Sequence, residues 1–333
     1  MSAELPDLPV SSSSRWILSL AGGGYKGLFT AHFLSLLQAE LGRPLYKVFD
    51  LVAGTSIGSI LALGIALGLD ASVLEEFLVS KGKRIFPGYR RLLPMPVMGL
   101  LGPLYRQKPL RRALSSAFGD HTLRSLKIAT LVPTVSLGNA SAKVFRTPHA
   151  AGFEGDRDQK VIDVALASAA APLYFPAYTI GHLQFADGGL IANAPHTIAA
   201  IEASAILRWP LSNVRMLAVG TTEVPIGMPI RRSPRHWGIR GWFQGKALLN
   251  QAMAAQQDLA QQSARVLLGP RLITVDAFRS TEQDQGVGLD RPGKHATATL
   301  RSLAEIAWED FKKHQAGSLM SLKLQSGEPL KAV

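Results

Sequence analysis

Short apolar runs alternate along the chain with longer stretches of helical periodicity. The short runs, bounded by glycine or polar residues, predict buried strands at Trp16–Leu20, Val48–Ala53, Ile128–Leu137, Ala142–Phe145, Leu183–Ala186, Val214–Val219 and Leu272–Val275. The helical spacing predicts helices at Leu28–Leu41, Ile57–Leu69, Ala71–Val79, Val161–Ala171, Gly245–Leu268 and His295–His314. Strands that alternate with helices predict an α/β fold, with a mostly parallel sheet and helices on both of its faces.

The pattern shows neither an internal repeat nor a linker that would divide the chain. We therefore expect one domain over residues 15–316, preceded by a flexible leader at 1–14 and followed by a C-terminal tail at 317–333. Residues 82–109 contain five prolines. Such a density of proline prevents a long regular helix there.

Composition excludes several classes of protein. With 47% hydrophobic and 18% charged residues, most of the chain is not disordered. Cysteine is absent, which excludes disulfides, thiolate metal sites and a cysteine nucleophile. The N-terminus lacks a basic region followed by an apolar run, so no secretory signal is predicted. The apolar run Ile57–Leu69 is shorter than the roughly 20 residues that span a bilayer, and a cytoplasmic protein is expected.

The formal net charge is +12, and its excess is concentrated. Residues 77–119 carry nine lysines and arginines and no acid, and residues 224–257 carry five and no acid. A basic surface is typical of proteins that meet nucleic acid, a phosphate-bearing ligand or an anionic membrane, although it also favours solubility alone. The sequence contains no recognisable nucleic-acid reading element, so no nucleic-acid partner is expected.

A first glycine motif, Gly22–Gly27, follows a predicted strand and precedes a predicted helix. It matches G-x-G-x-x-G, a dinucleotide-binding pattern that requires an acid at the end of the next strand to hold a ribose. The available acid, Asp50, instead precedes the apolar part of that strand. We therefore favour the other use of such a loop, in which backbone N–H groups at a helix N-terminus stabilise a developing oxyanion.

A second motif, Gly54-Thr55-Ser56-Ile57-Gly58, stands between a predicted strand and a predicted helix. This context is typical of a nucleophile elbow, in which a tight turn exposes the serine hydroxyl and aims the helix N-terminus at it. The alternative is an ordinary glycine-rich turn. The strand–turn–helix context favours Ser56 as a nucleophile.

The base that activates this serine is less obvious from the sequence. A Ser-His-Asp triad needs a histidine after the elbow, and the candidates are His121, His149, His182, His196, His236, His295 and His314. None of them lies in a suitable loop with a partner acid. Asp187-Gly188-Gly189 follows an apolar run and enters a tight turn. A carboxylate with a reference pKa of ~3.9 becomes a better base when it is desolvated.

The order of these motifs resembles the patatin-like phospholipases. GGGYKG, GTSIG, the segment ASAAAPLYFP at Ala167–Pro176, and DGG continued through Asn193 and Pro195 carry the resemblance, which runs from about Trp16 to Ala200. It implies a three-layer α/β sandwich and a serine lipid acyl hydrolase of the phospholipase A type. It also implies a Ser56–Asp187 dyad, an oxyanion hole from the backbone of Gly22, Gly23 and Gly24, and supporting roles for Gly27, Gly54, Gly58, Gly188 and Gly189.

Two residues depart from the commonest family pattern. Ala21 stands where many members have aspartate, and Lys26 stands where most have arginine. Neither belongs to the dyad, so the departures bear only on how the glycine loop is supported.

Longer segments, including AGGGYKGLFTAHFL and FADGGLIANAP, are similar to the bacterial phospholipase effectors of CBASS anti-phage systems. That resemblance implies activation by a cyclic dinucleotide such as cyclic GMP–AMP. It also implies peripheral action on inner-membrane phospholipids, homo-oligomerisation on activation, and no metal or other cofactor. The alternatives are a constitutive patatin-like lipase and a non-catalytic membrane- or nucleotide-binding module.

Two further groups of residues are candidates for binding. Arginine pairs with phosphates and stacks on bases. The candidate residues for binding a nucleotide are therefore Arg84, Arg231, Arg232 and Arg235. The apolar, proline-broken segment Leu92–Tyr105 is predicted to be a lid or membrane-docking loop, or alternatively a loop that fills the core. Its candidate membrane residues are Leu92, Leu93, Leu100 and Leu101.

Overall fold

A central mixed sheet of eight strands organises the protein. The computed structural model describes residues 14–88, 102–222 and 247–325. Its strands are β1 (Arg15–Leu20), β2 (Leu51–Gly54), β3 (Ala129–Ser136), β4 (Ser141–Arg146), β5 (Tyr178–Ile180), β6 (Leu183–Asp187), β7 (Val214–Val219) and β8 (Leu272–Val275). The order across the sheet is β5-β6-β3-β2-β1-β7-β8, and β4 also pairs with β3. Strands β3, β2, β1, β7 and β8 run parallel, whereas β4 and β6 are antiparallel to β3.

Helices connect and cover these strands. They are α1 (Gly27–Leu41), α2 (Ile57–Leu67), α3 (Ala71–Ile85), α4 (Gln107–Phe118), α5 (Val161–Ser168), α6 (Gly189–Ala192), α7 (His196–Ile201), α8 (Ala247–Leu268), α9 (Thr281–Asp284), α10 (Lys294–His314) and α11 (Ala316–Leu324). Each helix predicted from the sequence is present, with its ends moved by a few residues. No helix of the described residues is both long enough and apolar enough to cross a membrane.

Side chains on opposite faces of the sheet enter two separate cores. Along β1, Trp16, Leu18 and Leu20 belong to one buried cluster, and Ile17 belongs to the other. The first cluster contains residues of α1, α2, α3, α5 and α10, and the second contains residues of α7 and α8. Because successive strand residues point to opposite faces, both faces are covered by helices. The predicted three-layer α/β sandwich with a mostly parallel sheet is confirmed.

Strand β3 brings two distant parts of the chain together. One edge of β3 pairs first with β2, where Leu131 faces Ala53, and then with β6, where Thr134 faces Asp187. On the other edge, Leu131–Ser136 of β3 pair with β4. The C-terminal ends of β2 and β6 therefore meet end to end beside β3, and both chains turn into helices at this point.

The helix α11 and the strand β5 are present although the sequence did not predict them. The C-terminal tail was expected from residue 317, but α11 packs against the first core through buried Leu319 and Leu322, so the packed domain extends to 324. Trp16 Nε1 donates a hydrogen bond to Ser321 Oγ at 3.2 Å. Strand β5 was not predicted, because three residues are too few to display a period-two pattern.

Candidate active site

Ser56 lies in a tight turn between β2 and α2. Its backbone has φ 53° and ψ −120°, a conformation that non-glycine residues rarely adopt and that costs about 1–3 kcal/mol. The flanking glycines are required for close packing, since a Cβ at Gly54 would lie 2.1 Å from the Gly58 carbonyl oxygen. A Cβ at Gly58 would lie 2.4 Å from the carbonyl oxygen of Leu20. The G-x-S-x-G segment thus forms a strand–turn–helix that holds a strained serine.

Hydrogen bonds from other elements hold this turn in place. The Ser56 amide donates to Ser168 Oγ at 3.1 Å, and the Ser168 hydroxyl donates in turn to the Pro133 carbonyl at 2.8 Å. The Thr55 hydroxyl donates to the Ala192 carbonyl at 2.6 Å. Sequence reasoning missed Ser168 and Thr55 as supports, because a buried serine or threonine has no local signature.

Asp187 ends β6 and faces the serine. The Ser56 hydroxyl donates to Asp187 Oδ2 at 2.8 Å, and the Gly189 amide donates to Asp187 Oδ1 at 2.6 Å. The turn after Asp187 needs glycine, since a Cβ at Gly188 would lie 2.1 Å from the Pro133 carbonyl oxygen. Burial raises the pKa of the Asp187 carboxyl to about 6, despite these two hydrogen bonds, which act to lower it. The carboxyl is therefore ionised at neutral pH and is a stronger base than a carboxylate in water.

The described histidines lie outside the pocket that contains Ser56. His149 bonds Glu202 and Thr147, at 3.0 and 2.7 Å. His196 Nδ1 lies 2.8 Å from Ser19 Oγ, and burial lowers the pKa of its ring to about 4. No histidine of the described residues lines the pocket that contains Ser56. His236, another candidate base, lies outside the described residues.

One of the three predicted oxyanion-hole amides, that of Gly22, is already hydrogen-bonded within the protein. The Gly22 amide donates to the Asn193 carbonyl at 2.8 Å, so this N–H is already used and does not serve as an oxyanion donor in this conformation. Gly23 and Gly24 line the same pocket as Ser56. Within residues 14–88, 102–222 and 247–325, no hydrogen-bond acceptor is described for the Gly23 or Gly24 amide. Gly23 and Gly24 therefore stay as predicted oxyanion donors, and in this conformation Gly22 does not.

Contacts from several elements support the glycine loop. The Tyr25 amide donates to the Leu289 carbonyl at 2.7 Å, and Lys26 Nζ donates to the Thr222 carbonyl at 3.3 Å. The Thr221 hydroxyl donates to the Gly22 carbonyl at 3.1 Å. Lys26, one of the two departures from the family pattern, thus ties the loop to the segment that follows β7.

Asn193 is a further polar residue of the site. Its Nδ2 donates to Gln257 Oε1 at 2.8 Å and to the Gly22 carbonyl at 3.4 Å. Its Oδ1 is buried without a hydrogen-bond partner among the described residues, and the side chain lines the pocket. In the sequence, Asn193 is noticeable only through its place after the DGG motif. Its contacts join the glycine loop to α6 and α8.

A strongly apolar pocket surrounds the Ser56–Asp187 pair. Helix α3 contributes Phe77, Leu78 and Ile85 to its wall, and the segment after α5 contributes Tyr174 and Phe175. Phe86, just after α3, packs edge-on against Tyr105 and also contacts Phe175. A hydrocarbon chain would find continuous apolar contact here, beside the Ser56 hydroxyl and the Asp187 carboxylate.

The candidate binding residues are mostly outside the described part of the chain. Leu92, Leu93, Leu100 and Leu101 lie outside it, as do Arg231, Arg232 and Arg235. Arg84 is described, and it is exposed near the end of α3, next to the pocket-lining residues Ile85 and Phe86.

Comparison with known proteins identifies the family of the chain. Residues 18–200 match the sequence model of the family described as Patatin-like phospholipase. The chain is 37% identical over 314 residues to a cGAMP-activated phospholipase of Pseudomonas aeruginosa, covering 90% of this chain and 92% of that one. It is 36% identical over 335 residues to a cGAMP-activated phospholipase of Vibrio cholerae, with the same coverage. A cUMP-AMP-activated phospholipase of Escherichia coli is 28% identical over 66% of this chain and 69% of its own length. The chain therefore belongs to the patatin-like phospholipase family of ester hydrolases.

Proposed function

We propose that the protein is a phospholipase A-type acyl hydrolase with a Ser56–Asp187 dyad. The hydrogen bond of 2.8 Å from the Ser56 hydroxyl to the Asp187 carboxylate carries this proposal. A nucleophile must lie within hydrogen-bond reach of its base, and the described histidines offer no competing base in the pocket. The substrate class follows from the apolar wall, which suits a fatty acyl chain.

In the acylation step, Ser56 Oγ attacks the ester carbonyl carbon and its proton passes to Asp187 Oδ2. The Gly23 and Gly24 amides stabilise the negative charge that develops on the carbonyl oxygen. When the tetrahedral intermediate collapses, the bond to the alkoxy oxygen breaks. The protonated Asp187 gives its proton to this departing alkoxy oxygen, which leaves as the hydroxyl of the lysophospholipid, and an acyl-Ser56 ester remains.

Deacylation repeats these roles with water as the nucleophile. Asp187 takes a proton from water as the water oxygen attacks the acyl-Ser56 carbonyl carbon. Collapse of the second tetrahedral intermediate breaks the bond to Ser56 Oγ, which recovers its proton from Asp187. A free fatty acid leaves, and the dyad returns to its starting state.

We further propose that a cyclic dinucleotide activates this hydrolysis, and that the enzyme degrades inner-membrane phospholipids in anti-phage defence. Two relatives of nearly equal length, both named cGAMP-activated phospholipases, support the first part. The surplus of cations in residues 77–119 and 224–257 supports it physically, because the dyad chemistry does not require them. Activation requires a ligand that binds the active state more tightly than the resting state.

Hydrolysis of phospholipid vesicles by the purified protein tests the enzymatic proposal. We expect release of free fatty acid and lysophospholipid, together with covalent labelling of Ser56 by a fluorophosphonate, located by mass spectrometry of the labelled peptide. Both assays are run with and without cyclic GMP–AMP. Labelling of another residue, or no fatty acid release under any of these conditions, would contradict the proposal.

The pH profile should report the state of Asp187. The base must be ionised, and its pKa is raised to about 6 by burial, so kcat/KM should rise with pH and level off above pH 7 or so. A soluble ester gives the profile without effects of lipid charge. A half-maximal point near pH 4, as for an aspartate in water, or a fall in rate between pH 6 and 8, would contradict this assignment.

A further inference from the structure

Leu173 is held in an unusual position at the edge of the pocket. Its φ of 70° lies in the left-handed region, which a leucine rarely occupies, and its side chain is 48% exposed. Its neighbours Pro172 and Tyr174 both line the pocket. A backbone outlier that presents an apolar side chain to solvent beside an active site calls for a functional explanation.

The segment around Leu173 is fixed to its neighbours by backbone hydrogen bonds. The Leu104 amide donates to the Leu173 carbonyl at 2.9 Å, and the Tyr105 amide donates to the Tyr174 carbonyl at 2.7 Å. Gln107 Nε2 donates to the Pro176 carbonyl at 3.4 Å. These bonds align residues 104–107 with 173–176, so the exposed position of Leu173 is built into the fold.

A second exposed apolar side chain lines the pocket, and four exposed cations lie in the segments next to its wall. Leu190 lines the pocket and is 38% exposed. Lys83 and Arg84 are exposed just before the pocket-lining Ile85 and Phe86, and Arg106 and Lys108 are exposed beside Tyr105. We call these six residues the pocket rim: Lys83, Arg84, Arg106, Lys108, Leu173 and Leu190.

The four cations of the rim are exposed side chains. No ion pair of Lys83, Arg84, Arg106 or Lys108 is described in the resolved ranges of the chain. The nearby acid Asp290 is engaged by the Tyr105 hydroxyl, which donates to its Oδ2 at 2.7 Å. Exposed leucines at the pocket, together with exposed cations in the adjoining segments, are complementary to an anionic bilayer, whose headgroups attract cations and whose interior accepts apolar side chains.

We propose that the pocket rim is the surface by which this enzyme docks on anionic membranes, with Leu173 inserted at the level of the acyl chains. The proposal rests on the proposed phospholipase function and specifies how the pocket meets its substrate. Docking here aligns the apolar pocket with the bilayer interior. A phospholipid then moves its acyl chain from the membrane to Ser56 without exposing it to water.

Leu173→Asn gives a sharp test, because asparagine tolerates the left-handed region and removes the apolar side chain. We expect thermal stability to be kept or raised, because the backbone strain is relieved. Co-sedimentation with vesicles of phosphatidylglycerol and phosphatidylethanolamine should weaken about 10-fold or more. Binding is measured in a Ser56→Ala background, with and without cyclic GMP–AMP, so that the vesicles stay intact. Val266→Gln, at an 87% exposed position on α8, is the matched control and should bind normally.

The charges are tested separately with Arg106→Gln/Lys108→Gln. Each cation near an anionic surface contributes on the order of 1 kcal/mol, so the double variant should bind anionic vesicles about 30-fold less tightly. Binding to phosphatidylcholine vesicles should hardly change. Lys313→Gln, an exposed cation on α10, is the control. The difference in vesicle binding between the wild type and the double variant should shrink at high salt, because salt screens the attraction between these cations and the anionic headgroups.

Two outcomes would overturn the proposal. One is normal vesicle binding by both rim variants. The other is a loss of soluble-ester hydrolysis by Leu173→Asn equal to its loss on vesicles, which would make Leu173 part of the pocket wall. The vesicle-binding assay uses a protein without the nucleophile, so it gives a result even if the proposed hydrolysis fails. Conversely, hydrolysis of a soluble ester without vesicle binding would support the hydrolase proposal and would contradict the proposal that the pocket rim docks on membranes.

Discussion

Ser56→Ala and Asp187→Asn should each lower phospholipid hydrolysis by about 10 000-fold or more, because each removes one half of a unit that transfers a single proton. The hydroxyl and the carboxylate are joined by the 2.8 Å hydrogen bond, and neither has a substitute among the described residues of the pocket. The double variant should lose little beyond either single variant. Initial rates of fatty acid release from vesicles, measured with saturating cyclic GMP–AMP, give the comparison.

Two controls separate catalysis from folding. Ser59→Ala removes a hydroxyl one turn further along α2, where it bonds the Ser56 carbonyl at 2.6 Å, and it should change the rate only a few-fold. His149→Gln should leave hydrolysis within a few-fold of wild type, because His149 is engaged with Glu202 and Thr147. Substantial activity in Asp187→Asn, or a large loss in any histidine variant that still folds, would indicate a triad instead.

The stability of Asp187→Asn gives a second measurement on the same variant. The folded-state pKa of Asp187 is raised to about 6 by burial, so between roughly pH 4 and 6 the folded state binds more protons than the unfolded state. The wild-type side chain therefore makes the protein less stable as pH rises through this range. Asp187→Asn removes the buried charge. Its thermal midpoint at pH 7.5 should equal or exceed that of wild type.

Cyclic GMP–AMP should raise vesicle hydrolysis about 100-fold if the resting enzyme is almost entirely in its inactive state. A shift from 1:99 to 99:1 requires the ligand to bind the active state with an advantage of about 5.5 kcal/mol. A dose response of fatty acid release, with cyclic UMP–AMP as a comparison ligand, measures both the fold-activation and the preference. Full activity without nucleotide, unchanged by either ligand, would reject regulation and leave a constitutive lipase.

Arginine variants address where the nucleotide binds. Arg232→Ala should raise the half-activating concentration without lowering the maximal rate, because arginine pairs with phosphates and stacks on bases. Arg84 is exposed and directly precedes the pocket-lining Ile85 and Phe86. Arg84→Ala should therefore weaken vesicle binding and leave the half-activating concentration unchanged. If Arg84→Ala instead raises the half-activating concentration, the result would indicate that Arg84 binds the nucleotide.

The sequence alone determined most of the local structure. Glycine at 54 and 58, around a serine between an apolar strand and an apolar helix, is enough to predict the turn, because only glycine permits the close backbone approach seen there. Short apolar runs predicted the strands, and segments of helical periodicity predicted the helices. Together they predicted that helices bury both faces of the sheet. These features depend on residues that are close together in the chain, so the local sequence is enough to predict them.

Only the tertiary structure decided how these parts meet. Ser56 and Asp187 are 131 positions apart, and they touch because β3 pairs with the ends of both β2 and β6, a register that no local pattern encodes. The same packing directs the Gly22 amide to the Asn193 carbonyl, which removes it from the predicted oxyanion hole. It also holds Leu173 outward at a positive φ that its own sequence disfavours. Contacts between distant segments outweigh local preference at these positions, because many packing and hydrogen-bond interactions elsewhere stabilise the arrangement as a whole.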